Sequence, residues 1–212
     1  AELAYFGAKV LHPSSMLPAR EKGIPVHVSN STIPGQTGSV IHDSFRKDET
    51  CVIKSIAYKE NLSVISITST RMLLASGFLA AIFAVFDELQ TPVDLVSTSE
   101  VNVSLTIDNR ENLPRILSKL EEFAQVRVMH NMAILCLVGE KMKETPGIAG
   151  RIFSQLHDIP VHLISQGASE INLSFVIDEH HIHTAVTRLH ATFFEGKNEN
   201  PMFAPVVCEE KK

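Results

Sequence analysis

The chain contains nearly the same ten residues twice, and this repeat restricts its fold more than any other feature. SEVNVSLTID occupies Ser99–Asp108, and SEINLSFVID occupies Ser169–Asp178, 70 residues later. The same offset of 70 residues aligns GFLAAIF at Gly77–Phe83 with GIAGRIF at Gly147–Phe153. Because self-similarity at a fixed period is typical of repeated structural units, the sequence predicts two homologous modules.

Each module alternates strand-like and helix-like stretches in the same order. Strands are indicated by β-branched runs and by apolar residues at every second position, and helices by apolar stripes at a spacing of three and four. The predicted elements of the first module are Val64–Ile67, Leu79–Leu89, Val93–Ser97, Val101–Ile107, Leu113–Phe123 and Val126–Met129. This order, βαββαβ, predicts an α+β fold of two ferredoxin-like βαββαβ modules in tandem, with two helices on one face of an antiparallel sheet.

The second module lacks a clear last strand. Its predicted elements are Ile134–Leu137, Ile148–Leu156, Val161–Ser165, Ile171–Ile177 and Ile182–Phe193. The stretch Cys51–Tyr58 precedes the first module and has nothing local to pair with, so we expect it to complete the second sheet, with Phe203–Val207 as the alternative. The predicted limits are then 63–130 for the first module and 51–62 with 131–207 for the second, after a polar linker at 43–50.

Composition excludes several classes of partner and site. The 212 residues carry a formal net charge of −5 without a cluster of Lys or Arg, and no apolar run is long enough for a membrane span. We therefore expect neither a nucleic-acid nor a membrane partner. The three cysteines, Cys51, Cys136 and Cys208, are far apart, which favours a reducing compartment and predicts a cytoplasmic protein without disulfides. The histidines His180, His181, His183 and His190 have no Cys or carboxylate at ligand spacing, so we predict no metal site.

Four segments resemble the aspartokinases in order and spacing. They are FGAKVLHP (Phe6–Pro13), GFLAAIF (Gly77–Phe83), VDLVSTSEVNVSLT (Val93–Thr106) and LISQGASEINLSFVI (Leu163–Ile177). The resemblance implies a catalytic amino-acid-kinase domain followed by two ACT domains, which are βαββαβ modules that bind amino-acid end products. The closest type within the family is the lysine-sensitive, monofunctional one.

The resemblance also implies what the chain omits. Residues 1–45 resemble the last segment of an α/β amino-acid-kinase domain, and Lys9 lies near the nucleotide in the family, although an exposed lysine in a truncated domain is the alternative. The family's other phosphate-binding and aspartate-binding residues precede Ala1, so the sequence is interpreted as a piece of a longer protein without catalytic residues or a cofactor of its own. The intact enzyme is expected to use ATP and Mg to convert L-aspartate to 4-phospho-L-aspartate, the first step towards lysine, threonine and methionine.

The first module offers groups that suit a free amino acid. Ser76 is a predicted N-cap, Gly77 lets the backbone approach a ligand closely, and free N–H groups at the helix start attract a carboxylate. Asp94 is the predicted acceptor for an ammonium group. The resemblance to lysine-inhibited aspartokinases implies an effector site that contains Met72, Gly77, Phe78, Leu79, Val93 and Asp94, to which we add Ser76 and Ser99.

The second module is predicted to differ in this respect. His162 stands where the first module has Asp94, and Gly150 and Arg151 stand where it has Ala80 and Ala81. We therefore expect the primary effector site in the first module only. Gln166 and Asn172 keep a secondary site open, because amides suit a hydroxylated effector such as threonine.

The sequence thus predicts the regulatory part of an aspartokinase that binds an end product, with lysine favoured over threonine, for allosteric feedback inhibition. A homodimer or larger homo-oligomer formed through the ACT modules is expected, with the effector at or near the interface. Two alternatives stay open: a free-standing amino-acid-binding regulator, and a dimerisation module without a ligand.

Overall fold

The structure is a computed structural model that describes residues 13–33, 35, 38–41, 52–69, 76–167 and 169–195. The helices are α1 (Pro13–Glu21), α2 (Phe78–Glu88), α3 (Leu113–Glu121), α4 (Ile148–Ser154) and α5 (Ile182–Phe194). The strands are β1 (Val26–Val28), β2 (Ser39–Ile41), β3 (Ile53–Thr68), β4 (Val96–Thr98), β5 (Asn102–Ile107), β6 (Gln125–Gly139), β7 (Leu163–Gln166) and β8 (Asn172–Asp178). A 3-10 turn, Glu179–His181, joins β8 to α5.

The strands form two antiparallel sheets. β1 pairs with β2, whereas the other strands make one six-stranded sheet in the order β4-β5-β3-β6-β8-β7. The two edge strands of this large sheet, β4 and β7, contact each other. The sheet therefore curls until its edges meet, and the fold is the α+β arrangement of two ferredoxin-like repeats that the sequence predicts.

The two central strands are longer than predicted, because each runs through both modules. β3 includes the predicted Val64–Ile67 strand and most of Cys51–Tyr58, and its first half pairs with the second half of β6, from Ile53 with Gly139 to Tyr58 with Leu135. Both strands bend where the register shifts, at Asn61 and Asn131, which take positive φ values of 62° and 56°. Asparagine tolerates this left-handed conformation better than most residues, so it suits a bulge that redirects a strand.

The pairing of β3 supports the predicted limits, 63–130 for one module and 51–62 with 131–207 for the other, which stay a prediction. The rival strand Phe203–Val207, the residue Cys51 and the linker at 43–50 lie outside the described residues. So do residues 1–12, 34, 36–37 and 42–45 of the segment 1–45, whose described part contains α1, β1 and β2.

Three apolar cores hold these elements together. Helices α2 and α3 cover one core on β3 and β5, and α4 and α5 cover a second core on β6 and β8. A third core, on the face without helices, contains Leu62, Val64, Leu95, Met132 and Leu163 from both halves of the sheet. Because apolar burial is the main favourable term in folding, this third core ties the two modules to each other.

Candidate functional site

The start of α2 carries the first group of predicted site residues. Gly77, not Ser76, is the N-cap, with φ of 90° and no side-chain cap, so the prediction that Ser76 caps this helix is wrong. The reason is that glycine takes a left-handed conformation at little cost, which starts the helix one residue later and leaves Ser76 outside its first turn. The N–H groups of the first turn have no intrahelical acceptor, and the first intrahelical bond is donated by Ala81 to Gly77.

The side chains that follow Gly77 point in two directions. Phe78 is half-buried against the first core, with its ring edge on to Phe123 at a centroid distance of 5.9 Å. Leu79 is 40% exposed, and Phe83, one turn further, is 39% exposed. The helix start therefore presents backbone N–H groups beside an apolar, solvent-facing surface. Ser99 lies in the exposed β4–β5 turn, where its N–H donates to Asn102.

Asp94 lies at the other end of the first-module sheet. Its backbone N–H donates to Thr106 O at 3.0 Å, whereas Ser69, at the end of β3 that leads towards α2, donates to Val101 O. Thr106 follows Val101 by five residues of extended chain, which corresponds to about 17 Å along a strand. The start of α2 lies at the Ser69 end, because Phe78 contacts Phe123. Phe123 comes two residues before Gln125, which pairs with Thr68 at the end of β3. Within one chain, the structure thus does not bring Asp94, or its half-buried neighbour Val93, together with the start of α2.

Asp94 is not an open acceptor in this structure. Lys59 Nζ lies 3.0 and 3.1 Å from the two carboxylate oxygens of Asp94, and 2.7 Å from Oδ2 of Asp108. The side chain of Asp94 is 2% exposed, that of Lys59 23% and that of Asp108 42%. These three residues, the Lys59 cluster, sit beside the bulge at Asn61, where β3 passes from one module to the other.

The second module has a corresponding contact without the lysine. His162 donates its N–H to Val176 O at 2.8 Å, in the way Asp94 donates to Thr106, so the two residues occupy matching places. The Nε2 atom of His162 lies 3.1 Å from Oδ2 of Asp178, which ends the second copy of the repeated segment. The two modules therefore place a different partner beside the same aspartate: Lys59 beside Asp108, and His162 beside Asp178.

The remaining predicted residues do not form a second pocket among the described residues. Gln166 is opposite Leu173, the neighbour of Asn172, so the two amides are close along the sheet. Because successive residues of a strand point to opposite faces, however, the side chains of Gln166 and Asn172 lie on different faces. Met72 and Lys9 fall outside the described residues.

Asp108 gives a prediction that depends on pH. Its hydrogen bond with Lys59 lowers the pKa of Asp108 below the ordinary 3.8, and partial burial opposes this shift. Burial lowers the pKa of the Lys59 ammonium, but hydrogen bonds to Asp108 and Asp94 outweigh it and raise that pKa above 10.5. A carboxylate with a lowered folded pKa stabilises the fold above its unfolded pKa, and this stability is lost as the pH falls through the folded value.

We therefore expect Lys59→Met to raise the pKa of Asp108, as followed by NMR titration of its carboxyl carbon below pH 5. Lys119→Met is the control, because Lys119 pairs with Glu88 on the helices and should leave the Asp108 titration unchanged. An unchanged Asp108 titration in Lys59→Met would show that the ion pair is absent in solution.

Comparisons with known proteins point to one family. The ACT domain profile matches residues 135–193. Aspartokinase 1, chloroplastic, of Arabidopsis thaliana is 42% identical over 207 residues, which cover 92% of this chain and 36% of the plant protein. A putative C-terminal regulatory domain of aspartate kinase from Porphyromonas gingivalis W83 is 39% identical with a TM-score of 0.59, and the match covers 66% of this chain and 96% of that chain.

This chain belongs to the aspartokinase family. Escherichia coli aspartokinase III, in a crystal structure with lysine and aspartate described as the T-state, has a TM-score of 0.78 at 32% identity, over 90% of this chain and 44% of that one. The aspartokinase chain spans between 36% and 46% of the length of the curated relatives it matches. The similarity therefore extends over one part of each of those proteins.

Two residues of this aspartokinase region escaped the sequence reasoning. Lys59 lies in the range 51–62 assigned to the second module, just after the predicted strand Cys51–Tyr58. Nothing in its local pattern marks it as a partner of Asp94, 35 residues away. The sequence did mark Asp108, since this residue ends the repeated segment at the position of Asp178.

Across the described ranges, no helix is long and apolar enough to cross a membrane. No three His, Cys, Asp or Glu side chains converge as metal ligands there.

Proposed function

We propose that this chain is the regulatory region of an aspartokinase, and that it inhibits the kinase when an end-product amino acid binds to its first ACT module. The intact enzyme transfers a phosphoryl group from ATP, with Mg, to the side-chain carboxylate of L-aspartate. This region by itself is inactive and acts through a population shift, because an effector that binds one arrangement better than another pulls the protein towards that arrangement. Its proposed compartment is the cytoplasm.

Lysine is the proposed effector. Its α-carboxylate suits the N–H groups at the start of α2, and an ammonium group suits Asp94. Two further observations support lysine: the resemblance of the first module to lysine-inhibited enzymes, and the lysine named in the complex of the E. coli relative. In the second module His162 takes the place of the acidic acceptor, which argues against an equal site there.

One observation carries the architecture of the site: Asp94 and Gly77 lie at opposite ends of the same sheet. A free amino acid is much shorter than the roughly 17 Å between the two ends. We infer that the site is shared, with the start of α2 from one copy of the chain and Asp94 from a second copy. A two-fold axis would create two equivalent sites, because each copy contributes one half to each.

The surface of α2 is suited to such a contact between copies. Leu79 and Phe83 are exposed large apolar side chains one turn apart, and the intervening alanines Ala80 and Ala81 leave room for close approach. Exposed apolar surface of this kind marks interaction sites in soluble proteins. A homodimer through the first module therefore both buries this surface and completes the effector site.

The test is thermal unfolding of the chain with each aspartate-family amino acid in turn. At a concentration a hundred times its dissociation constant, a bound effector is expected to add about 2.7 kcal/mol of stability. A shift with lysine alone supports the proposal, whereas a shift with threonine alone would change the effector. No shift with any of them would leave dimerisation as the function of the chain.

Complementation tests whether the site is shared. Asp94→Asn and Gly77→Val are each expected to abolish the lysine response when present in both copies. A refolded mixture of the two variants contains heterodimers in which one of the two sites has an intact Asp94 and an intact Gly77. Recovery of lysine binding in the mixture supports the shared site. If the mixture binds no more lysine than either variant alone, each site lies within one chain.

A further inference from the structure

The Lys59 cluster closes off the carboxylate that the effector is expected to use. Both oxygens of Asp94 lie within 3.1 Å of Lys59 Nζ, and only 2% of the Asp94 side chain is exposed. A charge-assisted bond between an ammonium and a carboxylate is the same interaction that an effector ammonium would make. An effector ammonium that binds Asp94 therefore competes with Lys59 for the same buried carboxylate.

Asp108 gives Lys59 a place to move to. Lys59 Nζ already contacts Asp108 Oδ2 at 2.7 Å, and the Asp108 side chain is 42% exposed. Two carboxylates and one ammonium give the cluster a formal charge of −1, so a second ammonium brings it to neutrality. Lysine has a flexible stem of four carbons, which allows its ammonium to leave one carboxylate while it keeps the other.

In the second module, the position that corresponds to Asp94 does not carry a carboxylate. There His162 replaces Asp94 and itself contacts Asp178 at 3.1 Å. The acidic residue that ends the repeated segment is thus paired in both modules. Among the described residues, an additional aspartate paired with a lysine is found in the first module alone. The difference assigns a role to Lys59 that the repeat alone does not indicate.

We propose that Lys59 is an internal counter-ion of the effector site, which occupies Asp94 in the absence of effector and is displaced onto Asp108 when an amino-acid ammonium binds. Lys59 is therefore a residue that sets the affinity of the site by competing with the effector. This inference rests on the proposed function, because it takes Asp94 as the acceptor of the effector ammonium.

The position of Lys59 also connects the exchange to the second module. Two residues further along β3, the N–H of Asn61 donates to Oε2 of Glu179, in the 3-10 turn that leads into α5. Lys59 itself pairs with Ile134 of β6 on the second-module side of the bulge. Displacement of the Lys59 side chain from Asp94 thus breaks an ion pair that lies at the junction of the two modules, and its effect is not confined to the first-module site.

Calorimetric titration of the chain with L-lysine tests the proposal through variants with opposite expected effects. Lys59→Met removes the competitor and is expected to lower the dissociation constant about tenfold, the equivalent of about 1.4 kcal/mol. Lys59→Arg keeps a cation that binds carboxylates through two donors, so weaker lysine binding is expected. Asp108→Asn removes the alternative anchor of Lys59 and is also expected to weaken binding.

Lys119→Met is the matched control, because it removes the same charge from an exposed ion pair with Glu88 and should leave the dissociation constant unchanged. Circular dichroism establishes that each variant is folded before titration. Binding to Lys59→Met that is equal to or weaker than that of the natural chain overturns the role of Lys59 while it leaves the effector site intact. An absence of lysine binding to the natural chain overturns the proposed effector, and the role of Lys59 with it.

Discussion

Replacing Gly139 with alanine is expected to destabilise the chain by about 3 kcal/mol or more, at the upper end of the cost of overpacking a well-packed site. Gly139 is the last residue of β6 and is buried opposite Ile53 of β3. A Cβ atom there would overlap the carbonyl oxygen of Val52 and lie 2.9 Å from the sulfur of Met142. That carbonyl accepts a hydrogen bond of 2.9 Å from Glu140, so it cannot withdraw without losing its partner.

The measurement is urea unfolding of Gly139→Ala beside Gly150→Ala. Gly150 lies in α4, and a methyl group added to it would have no neighbouring atom within 4 Å. Alanine at this position should therefore stabilise the chain by about 0.5–1 kcal/mol through its better helix propensity. If both alanines have the same effect, the close approach of β3 and β6 at Gly139 does not exist in solution. The result bears on function because this pairing joins β3, which continues into the first module, to the second module.

Replacing Phe175 with alanine is expected to cost about 3–5 kcal/mol, the range for removing a buried aromatic side chain. Phe175 is fully buried in the second core, where its ring lies edge on to Phe153 at a centroid distance of 5.5 Å. It belongs to β8, and its neighbours across the sheet are Leu135 and Ile164. The cavity left by the missing ring would remove its packing contacts with Phe153 and with the two neighbouring strands of the second module.

Because β3 and β6 run through both modules, we expect Phe175→Ala to shift a single unfolding transition and not to release the second module alone. Denaturant unfolding followed by circular dichroism and by hydrogen exchange of first-module amides distinguishes a single transition from separate unfolding of the second module. Phe175→Leu is the control, since it keeps most of the volume and should cost less than about 1.5 kcal/mol. Two separate transitions would mean that the long strands do not couple the modules.

Local patterns were sufficient for the helices of the two modules and for the shorter strand β5. The apolar stripe of α5 places Ile182, Ala185 and Leu189 on one face, and all three are buried. The strand pattern at Val101–Ile107 likewise corresponds to β5, with Val103, Leu105 and Ile107 buried. These features depend on residues a few positions apart, and such residues share a face because of helix and strand geometry.

The limits of local reasoning are visible at the long strands. The sequence pattern predicts Val64–Ile67 and Cys51–Tyr58 as separate strands, because the polar stretch Lys59-Glu60-Asn61 interrupts the apolar alternation between them. In the structure β3 continues through this stretch with a bulge, since the ladder with β6 on both sides holds the interruption in place. Pairing with a distant strand outweighed the local preference.

The repeat and its periodicity were enough to establish two modules of one kind, a central strand in each from the repeated segment, and matching places for Asp94 and His162. Which charges meet became known only from the folded chain: Lys59 with Asp94 and Asp108, and His162 with Asp178. The fold also placed Asp94 and Gly77 at opposite ends of one sheet. Periodicity reports which face of an element is buried, but the partner of a charged side chain depends on strand register and on the bend at Asn61, which no local stretch of sequence encodes.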